Sequence, residues 1–294
     1  MEKENYRQIL DVLDSIFGGF SIKNIASDWK GIIEEVWPKY RKYCTKSFQR
    51  YFSGCMIKNC ESIERVYLSV FPSRYALSKL KDNSLLFVHH PLDWDEEKGF
   101  IPPQEKFLLR KICIYSSHLP LDNNLEYSPT ISLVNFLGIK DFKVVLRDNF
   151  LLGCVVHDFS LSLLKRKLRE YFNFLSVQET SWGKTRGKAF ICAGGCDDMN
   201  LLKYIHKLEG IEIYVTGVLY FRGNEYAKKY NPLFINYLRR FKIKGVGISH
   251  YISEYFSLLK LKPFFEQVFG LKTIVIKDRE KLEKIKRDFL RKIF

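Results

Sequence analysis

Apolar residues recur at helical spacing near the start of the chain, at Ile9, Leu10, Leu13, Ile16 and Phe17. Residues 1–20 therefore read as an amphipathic helix closed by Gly18-Gly19. Residues 28–50 carry a second helical tendency, rich in aromatics and interrupted at Pro38. From residue 64 the pattern becomes strands separated by helices. Residues 64–70 read as a strand, Pro72-Ser73 as a turn, 74–81 as a helix, and 85–88 as a short apolar strand running into His89. Residues 111–116 read as the next strand and 131–137 as the helix that follows its loop.

A second block begins near residue 150. Strands are expected at 151–156, 189–192, 212–216, 242–248 and 271–276. Helices are expected at 160–172, capped by Asp158 or Ser160, at 200–208, at 251–269 and in the tail from 278 to 294. Strands alternating with helices imply crossover connections, so the expected fold is a two-domain α/β subunit with mainly parallel sheets flanked by helices. The expected division has an N-terminal helical and aromatic segment (1–61) packing on a first α/β region (62–149). A second α/β region (150–240), a return segment (241–276) and a basic C-terminal helix (277–294) follow.

Composition narrows the class. At 294 residues and 46% hydrophobic, the chain is long enough for two cores and has no disordered character. No apolar run approaches the ~20 residues of a membrane span, and MEKENYRQIL lacks the apolar segment of a secretory signal. The expectation is a cytoplasmic protein without membrane contact. Seven cysteines, an odd number in a chain of this size, do not form a disulfide framework. Cys55-x4-Cys60 and Cys192-x3-Cys196 lack the paired spacing of structural zinc, so reduced, mostly buried thiols are expected. The net charge of +15 favours anionic partners, nucleotides or nucleic acid. Its excess lies mainly in residues 39–50 and 277–292.

Candidate chemistry gathers at strand ends. The 85–88 strand ends in His89-His90-Pro91, the 111–116 strand runs toward His118 with Asp122 four residues later, and the 242–248 strand leads to His250 with Glu254 four residues on. The three read as strands of one parallel sheet, and the carboxyl ends of such strands are where open α/β sheets bind ligands. Spacing of i and i+4 on a helix puts His250 and Glu254 on one face. Imidazole with carboxylate suits Zn, Fe, Mn or Co rather than calcium. Each group also has an ordinary reading, as a loop hydrogen bond or a helix-surface pair. His157 and His206 lie outside the pattern and are expected to be structural. Gly194-Gly195 lacks dinucleotide-fingerprint spacing and reads as a tight turn.

The order VHHP, IYSSHLPLD, CAGGC, IYVTG and SHYISE, over roughly residues 62–276, resembles the Nif-three-like dinuclear-metal family, also described as type-2 homologues of GTP cyclohydrolase 1. The resemblance implies that His89, His90, Asp122, His250 and Glu254 bind two divalent ions and that the subunit is a two-domain α/β unit of a toroidal homohexamer. His118, at the head of the H-x3-D motif, is read beside the metals or as a proton carrier, and Glu254 as the bridging group. With Glu254 and His118 as catalytic candidates, the expected activity is metal-dependent hydrolysis of a nucleotide-like or other anionic substrate. The alternative is a non-enzymatic metal-binding or regulatory scaffold that contacts protein or nucleic acid. The chain departs from the family at Tyr51-Phe52-Ser53-Gly54-Cys55, at Val218 where an acidic residue usually follows Thr-Gly, and at Leu219-Tyr220-Phe221 where many members carry histidines. These changes leave the metal motifs intact and alter residues expected to face a substrate.

Overall fold

The computed structural model describes residues 5–18, 37–95, 99–101, 104–174, 177–220 and 225–291. Residues 28–36 of the expected second helix, Gly19, Phe221 and the two chain ends lie outside them. The chain divides into two compact units. One comprises residues 1–124 and 258–278, the other residues 125–257 and 279–294. The 125–149 stretch thus falls in the second unit, and the 241–276 stretch is divided between the two.

Strands are numbered in chain order. The first unit holds β1 (Gly54–Lys58), β2 (Arg65–Ser69) and β3 (Ser84–Val88), a small hairpin of β4 (Asp93–Asp95) and β5 (Gly99–Ile101), and β6 (Ile112–Ser116). Its sheet runs β1, β6, β3, β2 and then Lys272–Val275, a strand from the far end of the chain. All pairings are parallel except β1 with β6. Every residue of β3 is buried, as an unbroken apolar run between two covered faces requires. The helix Asn5–Phe17 sets Phe17 edge-on against Phe87, with ring centroids 5.5 Å apart, and Phe265 packs on the same ring at 5.4 Å. A separate cluster gathers Phe48, Met56, Leu77, Leu86, Val88 and Ile114.

The second unit holds β7 (Lys143–Arg147), β8 (Phe150–Ser160), β9 (Gln178–Glu179), β10 (Arg186–Cys192), β11 (Ile213–Thr216) and β12 (Lys244–Gly247). The order is β7-β8-β10-β11-β12-β9, parallel across β10, β11 and β12 and antiparallel outside them. Lys272–Val275 is β13. Helices Pro129–Phe136, Leu161–Phe172, Met199–Glu209 and Glu225–Arg240 belong to this unit. Ser128, Ser160 and Asp198 cap the first three by accepting from backbone N–H groups. Of the two caps expected at the second of these helices, Ser160 serves. His250–Phe269 begins immediately after the β12 edge, and Arg279–Arg291 forms the basic tail helix.

The expectation of reduced thiols throughout is corrected. Cys60 is joined to Cys113, with Cα atoms 5.5 Å apart, and Cys192 to Cys196, at 6.2 Å. The β1–β6 register, Lys58 opposite Cys113, brings Cys60 alongside a residue 53 positions away. The turn through Gly194 folds Cys196 back on Cys192. Cys44, Cys55 and Cys154 are free thiols. Among the described residues no helix is long and apolar enough to cross a membrane.

Candidate metal centre

In the first unit, β3 and β6 run parallel with Val88 opposite Ser116, so their next residues emerge together at the carboxyl edge. The ladder continues past β3: the His89 N–H donates to Ser69 O at 3.3 Å and the His90 N–H to Val70 O at 3.0 Å. These bonds fix the main chain from which both imidazoles project. His89 is 0% exposed and His90 3%. His89 Nδ1 lies 3.0 Å from the Ser117 carbonyl, an acceptor only, so Nδ1 carries a proton and Nε2 is the ring nitrogen turned toward Asp122. That Nε2 is 3.4 Å from Asp122 Oδ1. The His90 ring stacks on Phe71, centroids 4.7 Å apart.

His118 precedes the short helix Leu119–Asp122, and the Asp122 N–H donates back to its carbonyl at 3.0 Å. This turn brings His118 Nε2 to 3.8 Å from Asp122 Oδ2. His89, His90 and His118 each offer a ring nitrogen, and these atoms lie within 4.8 Å of one another. Three imidazoles beside a carboxylate make a donor set suited to a borderline divalent ion.

In the second unit, β12 leads through Ile248 and Ser249 into the helix that starts at His250. Ser249 has φ +76°, a left-handed conformation that costs a non-glycine residue energy and recurs at functional sites. One helical turn puts His250 Nε2 3.0 Å from Glu254 Oε1, with His250 8% and Glu254 3% exposed. Gly194, φ +76°, lies against this pair: a Cβ there would stand 2.6 Å from Glu254 Oε1 and 3.5 Å from His250 Nε2. Its N–H donates to Ser253 Oγ at 2.9 Å. The turn glycine read from sequence is thus also the wall of a carboxylate cradle, a role its backbone geometry alone does not announce.

The strand-end reading needs one correction. β3 and β6 are neighbours, but β12 belongs to the other sheet, so the three strands do not share one. All the sequence candidates are nonetheless placed at strand ends or the first turn that follows. His206 Nδ1 lies 3.1 Å from Tyr237 Oη, and His157 is exposed on β8; neither joins these groups. The buried His and Glu side chains could hold a metal ion.

Two α/β units carry His–carboxylate pairs at their strand ends, groups that could hold a metal ion. Residues 32–281 match Duf34/NIF3 (NGG1p interacting factor 3), and the chain belongs to that family. It is 23% identical over 229 residues to the GTP cyclohydrolase 1 type 2 homolog of Borreliella burgdorferi, covering 73% of this chain and 83% of the relative. Similar solved structures include TTHA1606 from Thermus thermophilus, with TM-score 0.55, 19% identity, and 86% of this chain and 96% of that one covered. Reduced HcgD from Methanocaldococcus jannaschii matches with TM-score 0.55 and 19% identity over 83% of this chain and 97% of that chain. At these identities the structural likeness concerns the fold.

Proposed function

We propose that the chain holds two divalent ions, Zn, Fe or Mn, through His89, His90, Asp122, His250 and Glu254, and hydrolyses an anionic, nucleotide-like substrate. The observation that carries this reading is a pair of imidazole–carboxylate contacts at strand ends, buried His89 with partly exposed Asp122 and buried His250 with buried Glu254. Burying such groups is costly unless something of opposite charge compensates the carboxylates. The name of the Borreliella relative supports a nucleotide substrate, and the net charge of +15 suits an anion.

Bound divalent ions would supply Lewis-acid activation of water and neutralise an oxyanion. The protein's own part is orientation. The Ser117 carbonyl orients the His89 ring, Asp122 stands beside the His89 and His118 rings, and Gly194, lacking a Cβ, leaves room for the Glu254 carboxylate. His118, partly exposed beside Asp122, would carry a proton between the site and solvent. On the family resemblance the working form is a cytoplasmic homohexamer.

Elemental analysis of the purified protein, followed by turnover assays with GTP and model phosphodiesters, tests the reading. Near two equivalents of metal and a metal-dependent turnover are expected. A protein that stays substoichiometric after reconstitution with Zn, Fe and Mn would sink it.

A further inference from the structure

The helices Met199–Glu209 and Glu225–Arg240 lie side by side in the second unit, and the seam between them takes no part in the site above. Each buries one side against the sheet, Leu202 and Ile205 from the first and Phe234 and Leu238 from the second, in a cluster with Phe190 and Tyr214. Spacing of i, i+4 and i+8 then sets Leu233, Tyr237 and Phe241 along one flank of the second helix. The Phe241 N–H donates to Tyr237 O at 3.2 Å, so the last turn carries this ring too. His206 meets the flank from the first helix. Its Nδ1 lies 3.1 Å from Tyr237 Oη, and its ring centroid lies 4.9 Å from that of Phe241. The seam stays open to solvent at its surface, where Leu233 and Phe241 are each 44% exposed.

Charge is one-sided here. Lys203 and Lys207 flank His206 on its own helix, Arg240 lies over the Phe241 ring, 5.5 Å from the centroid, and Lys242 follows; all four cations are exposed. Among the described side chains of the two helices the only carboxylate is Glu209, and Lys143 at 2.7 Å and Lys188 at 3.2 Å already pair with it. Clustered cations attract a polyanion, and exposed rings among them offer stacking faces. We propose that this seam binds single-stranded RNA, with phosphates on Lys203, Lys207 and Arg240 and a base stacked on Phe241. Stacking needs an unpaired base, which selects a single strand. The His206–Tyr237 pair puts groups able to donate and accept beside the rings, as a ribose 2′-hydroxyl requires, which selects RNA over DNA. An acidic peptide would meet the cations but brings no flat base to cover Phe241.

The test is fluorescence anisotropy of the full-length protein with labelled oligouridine of about 12 nucleotides, within the span of one single-strand site. Replacing Lys203, Lys207 and Arg240 together with Gln should weaken binding roughly tenfold or more at low salt and flatten the slope of log affinity against log salt by about two. Phe241→Ala should cost roughly five- to a hundredfold, the worth of one stacked base. A control removes equal charge from the first unit, through Lys39→Gln, Lys46→Gln and Arg50→Gln, all exposed. It should bind within about twofold of the parent, because distant exposed charges are screened. Circular dichroism and sedimentation follow the fold and the assembly. Equal losses in the control and the seam variants would show a response to net charge alone and overturn the proposal, as would a parent that binds no RNA. Oligodeoxyuridine bound as tightly as the RNA overturns the choice of RNA, and oligoglutamate competing as well as RNA overturns it in favour of an acidic protein. A seam variant that changes the assembly mass marks a contact between copies of the chain, which also overturns it. If the triple variant unfolds, Phe241→Ala set against the control decides.

Discussion

Glu254 is the side chain in which burial, charge and geometry meet most closely. It has two oxygens, is 3% exposed, and has His250 3.0 Å away on the same helix face. Glu254→Gln keeps its shape and removes the charge that would offset a cation, so it should lower the affinity of the metal held beside His250, whereas His89→Ala should weaken the one held beside Asp122. Metal titration with circular dichroism as the folding control separates these, and equal binding by Glu254→Gln would require redrawing the site. Gly194 gives a second residue-scale expectation. Alanine there would have to adopt φ +76° and place its Cβ 2.6 Å from the Glu254 carboxylate. Gly194→Ala should cost about 1–3 kcal/mol in urea unfolding and weaken metal binding as well. The ligand candidates were legible in the sequence because His89-His90-Pro91, His118-x3-Asp122 and His250-x3-Glu254 are local patterns. The Gly194 cradle and the His206–Tyr237 contact were not, since each joins residues more than 30 positions apart.

Short buried strands and the turns that follow them carry the site, and the legibility of the elements varied for physical reasons. β2, β3, β6, β11 and β12 stood out as apolar runs bounded by polar turns. β7 did not: it is an edge strand whose residues are mostly exposed, joined to β8 by a turn in which Asp148 and Asn149 take φ of 50° and 66°. Paired positive φ values of this kind mark a tight hairpin, but Asp-Asn is a weaker signal than Asn-Gly. The helix Glu225–Arg240 was missed because Asn231-Pro232 reads as punctuation, although Pro232 lies inside it. At the cap of Met199–Glu209, Asp198→Ala should cost about 0.5–2 kcal/mol in chemical denaturation while leaving metal affinity unchanged. A parallel fall in affinity would mean that the Gly194 loop had moved with the cap. The edge strand β9 offers a pH-dependent expectation. Burial raises the Glu179 carboxyl, but Lys165 at 2.5 Å and Lys244 at 3.0 Å prevail and hold it below its ordinary range. A depressed folded-state pKa contributes stability above the ordinary carboxylate range, which is lost as pH falls through the folded value. Glu179→Gln should therefore be less stable than the parent at neutral pH, and the gap should close in acid, as urea midpoints across pH would show.

Across the whole molecule, the cysteine pairs bear on both compartment and metal. Disulfides persist in oxidising surroundings and are rare in the cytosol, so thiol counting on protein alkylated in intact cells tests the proposed location. Replacing Cys60, Cys113, Cys192 and Cys196 with Ser should leave metal content unchanged, because none of them belongs to the His–carboxylate groups. A proportional loss of metal from a folded variant would refute that. The first unit's sheet has a further consequence. β2 pairs on one side with β3, a near neighbour in sequence, and on the other with β13, which leaves the ribosome some two hundred residues later. Throughout synthesis of the second unit, β2 presents an open edge of apolar, β-prone residues, the kind that recruits stray strands. Translation paused or truncated before residue 272 should thus release a product prone to aggregate, and the chain's last strand acts as the seal on its first sheet.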